Sequence, residues 1–231
     1  MIVRRIIRLV LGAVVVSVAL VAPQVTASPQ ASAATDPAVW VGSPMNATWP
    51  NTDGCSGSGY MFPSATCSLP AVHHWLAYAP LGDWAADLQH VAVGQPVVLY
   101  AAPQNTSLSV TAKVAAVGPA CGSGVIAYGG YRVTVNLYTG STYIGSVTYA
   151  HINPKVSQGQ VISRWGTTLG TVGSYTSNSC WGGVHVHVQL YSAHNYACYN
   201  RGWHPGQQMY AKNFIGFIGG NYASGPRQAC P

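Results

Sequence analysis

The sequence has no glutamate, and its only acids are Asp36, Asp53, Asp83 and Asp87. That excludes every mechanism needing a Glu, including the HExxH metalloproteases and most two-carboxylate glycosidases. Charged residues are 6% of the 231, against about a quarter in a typical soluble domain, which excludes long surface helices laced with ion pairs. The six cysteines include no C-x-x-C pair, so they read poorly as zinc ligands. Neither G-x-S-x-G nor G-D-S-G-G occurs, which leaves a serine hydrolase remote. What is abundant is apolar and turn-forming: 48% hydrophobic residues with 26 Gly, 15 Pro and 14 Tyr. This composition supports a sizeable core built of short strands joined by turns.

Arg4, Arg5 and Arg8 precede an apolar run from Leu9 to Ala22, fourteen residues that are too short to span a bilayer comfortably. Small residues follow, and Ala31-Ser32-Ala33 offers an A-x-A cleavage site, with Val25-Thr26-Ala27 as an earlier option. Residues 1–34 are therefore expected to be a Sec signal peptide and the protein to be secreted; an uncleaved membrane anchor is the alternative. Cleavage removes three of ten cations and no acid, so the net charge falls from +6 to +3. The remaining cations are scattered, which excludes a nucleic-acid groove, and no membrane contact is expected after cleavage. A mildly basic exported protein suits anionic surfaces such as a cell wall. In an oxidising compartment six cysteines imply three disulfides; local spacing suggests Cys55 with Cys67, Cys121 with Cys180 and Cys198 with Cys230.

Residues 35–70 carry no periodicity and read as an irregular segment, whereas seven β-branched and aromatic runs follow Gln95. They are Val97–Ala101, Leu108–Val117, Tyr131–Tyr138, Gly145–Ala150, Gln160–Trp165, Thr168–Val172 and Val184–Tyr191. The predicted fold is all-β, an antiparallel sandwich or barrel-like sheet, with a loop-like tail from Ser192 to Pro231. No repeat interrupts it, so residues 71–231 form one domain.

Chemistry concentrates in Val184-His185-Val186-His187-Val188-Gln189-Leu190. Strand alternation puts His185, His187 and Gln189 on one face, with the two imidazoles about 7 Å apart. That spacing suits one histidine on a metal and the other on a substrate; a half-buried strand with two polar histidines is the bland alternative. Further candidates lie upstream: His73-His74, a loop with Asp83 and Asp87, and His151 at a strand end. Tyr149, two residues before His151, is expected on the same face. Imidazole and carboxylate suit Zn²⁺, whose catalytic sites have three protein ligands and an open fourth position. His90 is expected to be structural, His194 and His204 to be surface residues with a substrate-groove role as the alternative, and Trp75, Trp84, Trp181 and Trp203 to be mostly packing, with one or two lining a cleft.

Gly182-Gly183-Val184-His185-Val186-His187, Tyr149-Ala150-His151-Ile152, Val156 to Val161 and Leu169-Gly170-Thr171-Val172-Gly173 resemble the LytM/lysostaphin-type zinc endopeptidases of family M23. The resemblance covers residues 71–190 and implies an M23 peptidase domain. The common first motif of that family is H-x3-D, but Asp83 stands four residues before Asp87; the twelve residues between His74 and Asp87 resemble the β-lytic/staphylolysin branch instead. The resemblance implies one Zn²⁺ per chain held by His74, Asp87 and His187, with His151 and His185 as the catalytic pair. Asp83 or His73 as first ligand are alternatives. It further implies a monomer that hydrolyses peptide cross-links of bacterial peptidoglycan; the other outcome is a degenerate domain that binds wall or regulates another hydrolase. Edman sequencing of the secreted protein is expected to begin just after Ala33 or Ala34; recovery of Met1 would show an uncleaved anchor.

Overall fold

The computed structural model describes residues 38–48, 83–104, 107–120, 128–179, 181–193, 197–199, 207–219 and 228–229. His73, His74, His194, His204 and every cysteine except Cys198 lie outside the described residues, as do the signal segment, Trp75 and Trp203. The expected disulfide pairs therefore fall outside as well.

Fourteen strands follow one another, and no helix occurs among the described residues. They are β1 (Ala38–Gly42), β2 (Ala47–Thr48), β3 (Asp83–Leu88), β4 (Pro96–Pro103), β5 (Val110–Pro119), β6 (Tyr131–Thr139) and β7 (Thr142–Pro154). The second half holds β8 (Val161–Ile162), β9 (Trp165–Val172), β10 (Val186–Ser192), β11 (Ala197–Tyr199), β12 (Gln208–Met209), β13 (Phe214–Gly219) and β14 (Gln228–Ala229). Twelve of them form one sheet in the order β14-β11-β13-β1-β4-β9-β7-β6-β5-β8, with β10 and then β3 branching from β7. All the pairings are antiparallel except β11 with β14, and β2 pairs β12 separately.

The sheet is open, which corrects the barrel-like expectation. Closure into a barrel would need each strand to hold one neighbour on each edge. β7 keeps β6 along one edge but divides the other: Gly145 to Ala150 pair with β10, and Ile152 to Pro154 pair with β9. His151 sits at the division.

Two segments expected to be irregular are strands. Ala38-Val39-Trp40-Val41-Gly42 lies between β13 and β4, with Val39 and Val41 fully buried. Five apolar residues isolated between Pro- and Ser-rich stretches have too little length to show a period. In the tail, Phe214-Ile215-Gly216-Phe217-Ile218-Gly219 repeats every three residues, a period that matches neither strand nor helix. The pairing resolves it: Gly42 faces Phe214 and Val41 faces Gly216, so Ile215 is an extra residue at a bulge.

The core gathers Val39, Leu99, Val114, Val135, Ile144, Tyr149, Ile152, Val188 and Leu190 among others. Alternation along the paired parts of β6, β7 and β10 produces it, since Val133, Tyr149 and Val188 are cross-strand neighbours and so are Val135, Val147 and Leu190. Tyr149 is fully buried and its hydroxyl has no hydrogen-bond partner among the described residues. Burial pushes its phenol well above the ordinary 10.0. The folded state therefore holds this proton more tightly than the unfolded chain, so stability is intact below pH about 10 and declines as pH rises beyond it. Tyr149→Phe is expected to leave Tm at pH 7 unchanged or higher, since it deletes an unpartnered polar atom. It should also soften the fall in Tm at alkaline pH. Thermal melts at neutral pH and above pH about 10 check this, and an equal alkaline loss in both proteins would count against it.

Candidate functional site

Asp87 does not lie in a loop; it occupies β3, one residue before the strand ends at Leu88. There it pairs with His187 of β10, which pairs with Ala150 of β7, which pairs with Arg132 of β6. Directly opposed residues share a face. The register therefore delivers a carboxylate and an imidazole from positions one hundred residues apart to the same spot. His187 Nδ1 lies 3.1 Å from Asp87 Oδ1, and the residues are 5% and 9% exposed.

His151 reaches this spot by a bulge. Arg132 pairs with Ala150 and Tyr131 with Ile152, so His151 is an extra residue with no opposite number on β6, and its φ is +63°. A non-glycine residue in the left-handed region costs of order 1–3 kcal/mol and persists only where the surroundings enforce it. The consequence is a re-aimed side chain. Regular alternation would have put His151 on the face of Tyr149, in the core. Instead its ring centroid lies 4.6 Å from that of His185 and 6.3 Å from that of His187. The expectation that Tyr149 shares a face with His151 is thus corrected, and β7 continues to Pro154 where a loop was expected.

The bulge is enforced by glycines. Gly173 donates its N–H to the carbonyl of His151 at 2.9 Å. A Cβ on Gly173 would meet that oxygen at 3.0 Å and the Cα of Gly129 at 2.6 Å, and one on Gly170 would meet the carbonyl oxygen of Asn153 at 2.4 Å. The Leu169-Gly170-Thr171-Val172-Gly173 stretch is small at these two positions because two backbones touch there.

Trp181 caps the cluster. It is buried, and its indole stacks on His151 at 4.5 Å with 26° between planes. On its other side His151 meets His185 edge-on, at 69°. His185 Nδ1 lies 2.9 Å from the carbonyl oxygen of Gly183. A carbonyl only accepts, so Nδ1 carries the proton and Nε2 of the neutral ring presents a lone pair. Nε2 is buried, 3.5 Å from Asp87 Oδ1, an acceptor that cannot satisfy a lone pair, and it has no hydrogen-bond partner among the described residues. Trp181 Nε1 is likewise buried without one. Two orphaned polar atoms in one cluster cost about 1–3 kcal/mol each, which a bound polar group would recover.

The donor set fits zinc in part. Two ligands about 2.0–2.2 Å from a tetrahedral Zn²⁺ lie about 3.3 Å apart, close to the 3.1 Å between Asp87 Oδ1 and His187 Nδ1. Among the described residues no group of three His, Cys, Asp or Glu side chains is arranged to hold a metal ion. Of the expected ligands, then, Asp87 and His187 come together, His74 lies outside the described residues, and His151 and His185 adjoin the pair. His90 is exposed, at φ +54°, outside the cluster.

Beyond the cluster the same face is polar. Thr134, Thr148 and Gln189 form the next row across β6, β7 and β10, and Asn136, Ser146 and Tyr191 the row after that. Thr134 and Thr148 join hydroxyl to hydroxyl at 2.9 Å, and the Tyr143 hydroxyl reaches Ser146 Oγ at 3.4 Å. Hydrogen-bonding groups thus continue the face that carries the histidines. Of these residues, sequence reading placed only Gln189 on the histidine face and expected Trp181 to pack without naming its partner; the alternation in Tyr131 to Thr139 could have signalled the rest of the face.

Comparison with protein-family models, curated proteins and solved structures finds no match.

Gly173→Ala is expected to lower stability by about 1–3 kcal/mol through overpacking, whereas Gly140→Ala has open space and strains only a turn backbone. Chemical denaturation of both variants measures the difference. A Gly173→Ala protein with wild-type stability would disprove the close contact behind His151.

Proposed function

We propose that this protein is a secreted, M23-like zinc endopeptidase that hydrolyses the peptide cross-links of bacterial peptidoglycan. The reading is supported above all by one observation: Asp87 and His187 converge to 3.1 Å while His151 and His185 stand edge-to-face beside them. A carboxylate, a metal-type imidazole and two further imidazoles within one buried cluster are the components that a zinc hydrolase without glutamate requires.

Asp87 and His187 would hold the ion, with His74 as the third ligand brought from outside the described residues. Zinc, when bound, supplies a water of near-neutral pKa and polarises the scissile carbonyl. The chain's own groups do the rest. His185, with Nδ1 tied to Gly183, is poised to accept a proton at Nε2, as a positioned histidine does in general base catalysis. The resulting imidazolium would sit 3.5 Å from the Asp87 carboxylate, a contact that stabilises positive charge. His151, in contact with Trp181 and His185, would hydrogen-bond the substrate carbonyl as charge develops on its oxygen. The row of Thr134, Thr148 and Gln189 offers donors and acceptors for an extended peptide.

Metal analysis of the mature protein, combined with amine release from purified cell walls with and without chelator, tests the proposal. His187→Ala is expected to lose the metal, and His151→Ala to keep it while turnover falls about 10²- to 10⁴-fold. Equal zinc content in wild type and His187→Ala would refute the ligand assignment. Bound zinc with no cleavage of any wall type would favour a wall-binding domain without turnover.

A further inference from the structure

The row that assembles the histidine cluster does not stop at β7. Asp87, His187, Ala150, Arg132 and Gly118 are opposed in turn across β3, β10, β7, β6 and β5, so all five occupy one face. Val133 and Tyr149, which alternate with this row, are fully buried, and that fixes its face as the one turned away from the core. One exposed arginine therefore stands in line with the buried carboxylate and imidazole.

Both neighbours of Arg132 in the row are small. Ala150 contributes a methyl on the side of His187, and on the other side a Cβ built on Gly118 would meet nothing within 4 Å. Two strand spacings of about 4.8 Å put the Cα of Arg132 about 10 Å from that of His187. An extended peptide covers that distance in about three residues.

Nothing among the described residues neutralises this charge. The Arg132 side chain makes no hydrogen bond or ion pair there, and the ion pairs of the face are those of His185 and His187 with Asp87. Asp87, the one acid whose side chain is described, lies three strand spacings from Arg132, about 14 Å, against a screening length of about 8 Å at physiological salt. Thr134 and Asn136, which follow Arg132 on the same face of β6, are neutral, and exposed Lys113 of β5 is opposed to Asn136. The face thus carries its acid on β3 and its cations on β5 and β6. A guanidinium presents a planar fork of N–H donors that matches the two oxygens of a carboxylate, and such charge-assisted bonds are about twice as strong as neutral ones.

We infer that Arg132 determines specificity: it takes a free carboxylate of the substrate, borne within about three residues of the scissile bond, so that acidic peptides are preferred. That the ligand is a peptide rests on the proposed function; the preference of this part of the face for an anion does not.

The test uses two soluble cross-link peptides, identical except that the carboxylate near the scissile bond is free in one and amidated in the other. With the zinc-loaded mature protein, kcat/KM is expected to be about tenfold higher for the free acid, and the ratio should shrink as salt rises. Arg132→Gln should bring the ratio to about one, Arg132→Lys should keep part of it, and Arg132→Glu should reverse it. Because the residue is exposed, zinc content and Tm should match wild type in all three variants, which separates lost recognition from misfolding. Equal kcat/KM for the two peptides in wild type, an undiminished ratio in Arg132→Gln, or a ratio lost only in Lys113→Gln would each overturn the assignment. Calorimetric binding of the same peptides supplies a readout without turnover. Preferential binding of the acid that Arg132→Gln abolishes, with neither peptide cleaved, would uphold the Arg132 assignment and reject the peptidase; equal binding of both peptides by wild type would overturn the assignment.

Discussion

One strand edge shared by two partners organises the molecule. β7 pairs with β10 up to Ala150 and with β9 from Ile152, and the residue between them has nowhere to go in either ladder. Held at φ +63°, His151 turns its ring out of the core and onto the face that carries His187. The strain of a left-handed histidine is maintained by backbone contact, because Gly173 hydrogen-bonds the His151 carbonyl and rests against Gly129. Glycines just outside β9 and β6 thereby fix the direction of a side chain on β7.

The fork also explains why Asp87 and His187 meet. β10 and β3 leave the main sheet along the first half of β7, and the β3–β10 register opposes residue 87 to residue 187. A slip of β3 by one residue would turn Asp87 away from His187 and toward the core, where a carboxylate would be untenable. Burial of Val186, Val188 and Leu190 on the other side locks the register. The hydrophobic effect that folds the branch thus sets the distance between two polar groups.

The two polar-or-aromatic faces of the sheet follow from the same alternation. Along β6, β7 and β10 the residues facing away from the core are threonine, serine, asparagine and histidine; along β13, β1, β4 and β9 they are phenylalanine, tryptophan and tyrosine. The first face offers hydrogen-bonding groups, and the second packs its rings against one another.

Much of this was legible in the residues themselves. Seven of the strands announced themselves through β-branched and aromatic runs, and alternation in Val184 to Leu190 put His185 and His187 on one side before any coordinates. The strands at Ala38–Gly42 and Phe214–Gly219 were hidden, the first by its brevity and the second by a period of three that only a bulge accommodates. The location of His151 was legible but its direction was not: local periodicity pointed it inward beside Tyr149, and pairing between strands reversed it. Sequence determines which side chains alternate, since that is a property of the extended backbone alone. Which strand lies beside which, and where a ladder must skip a residue, depends on contacts between distant segments, so tertiary structure alone decided that Asp87, His151, His185 and His187 share one cluster.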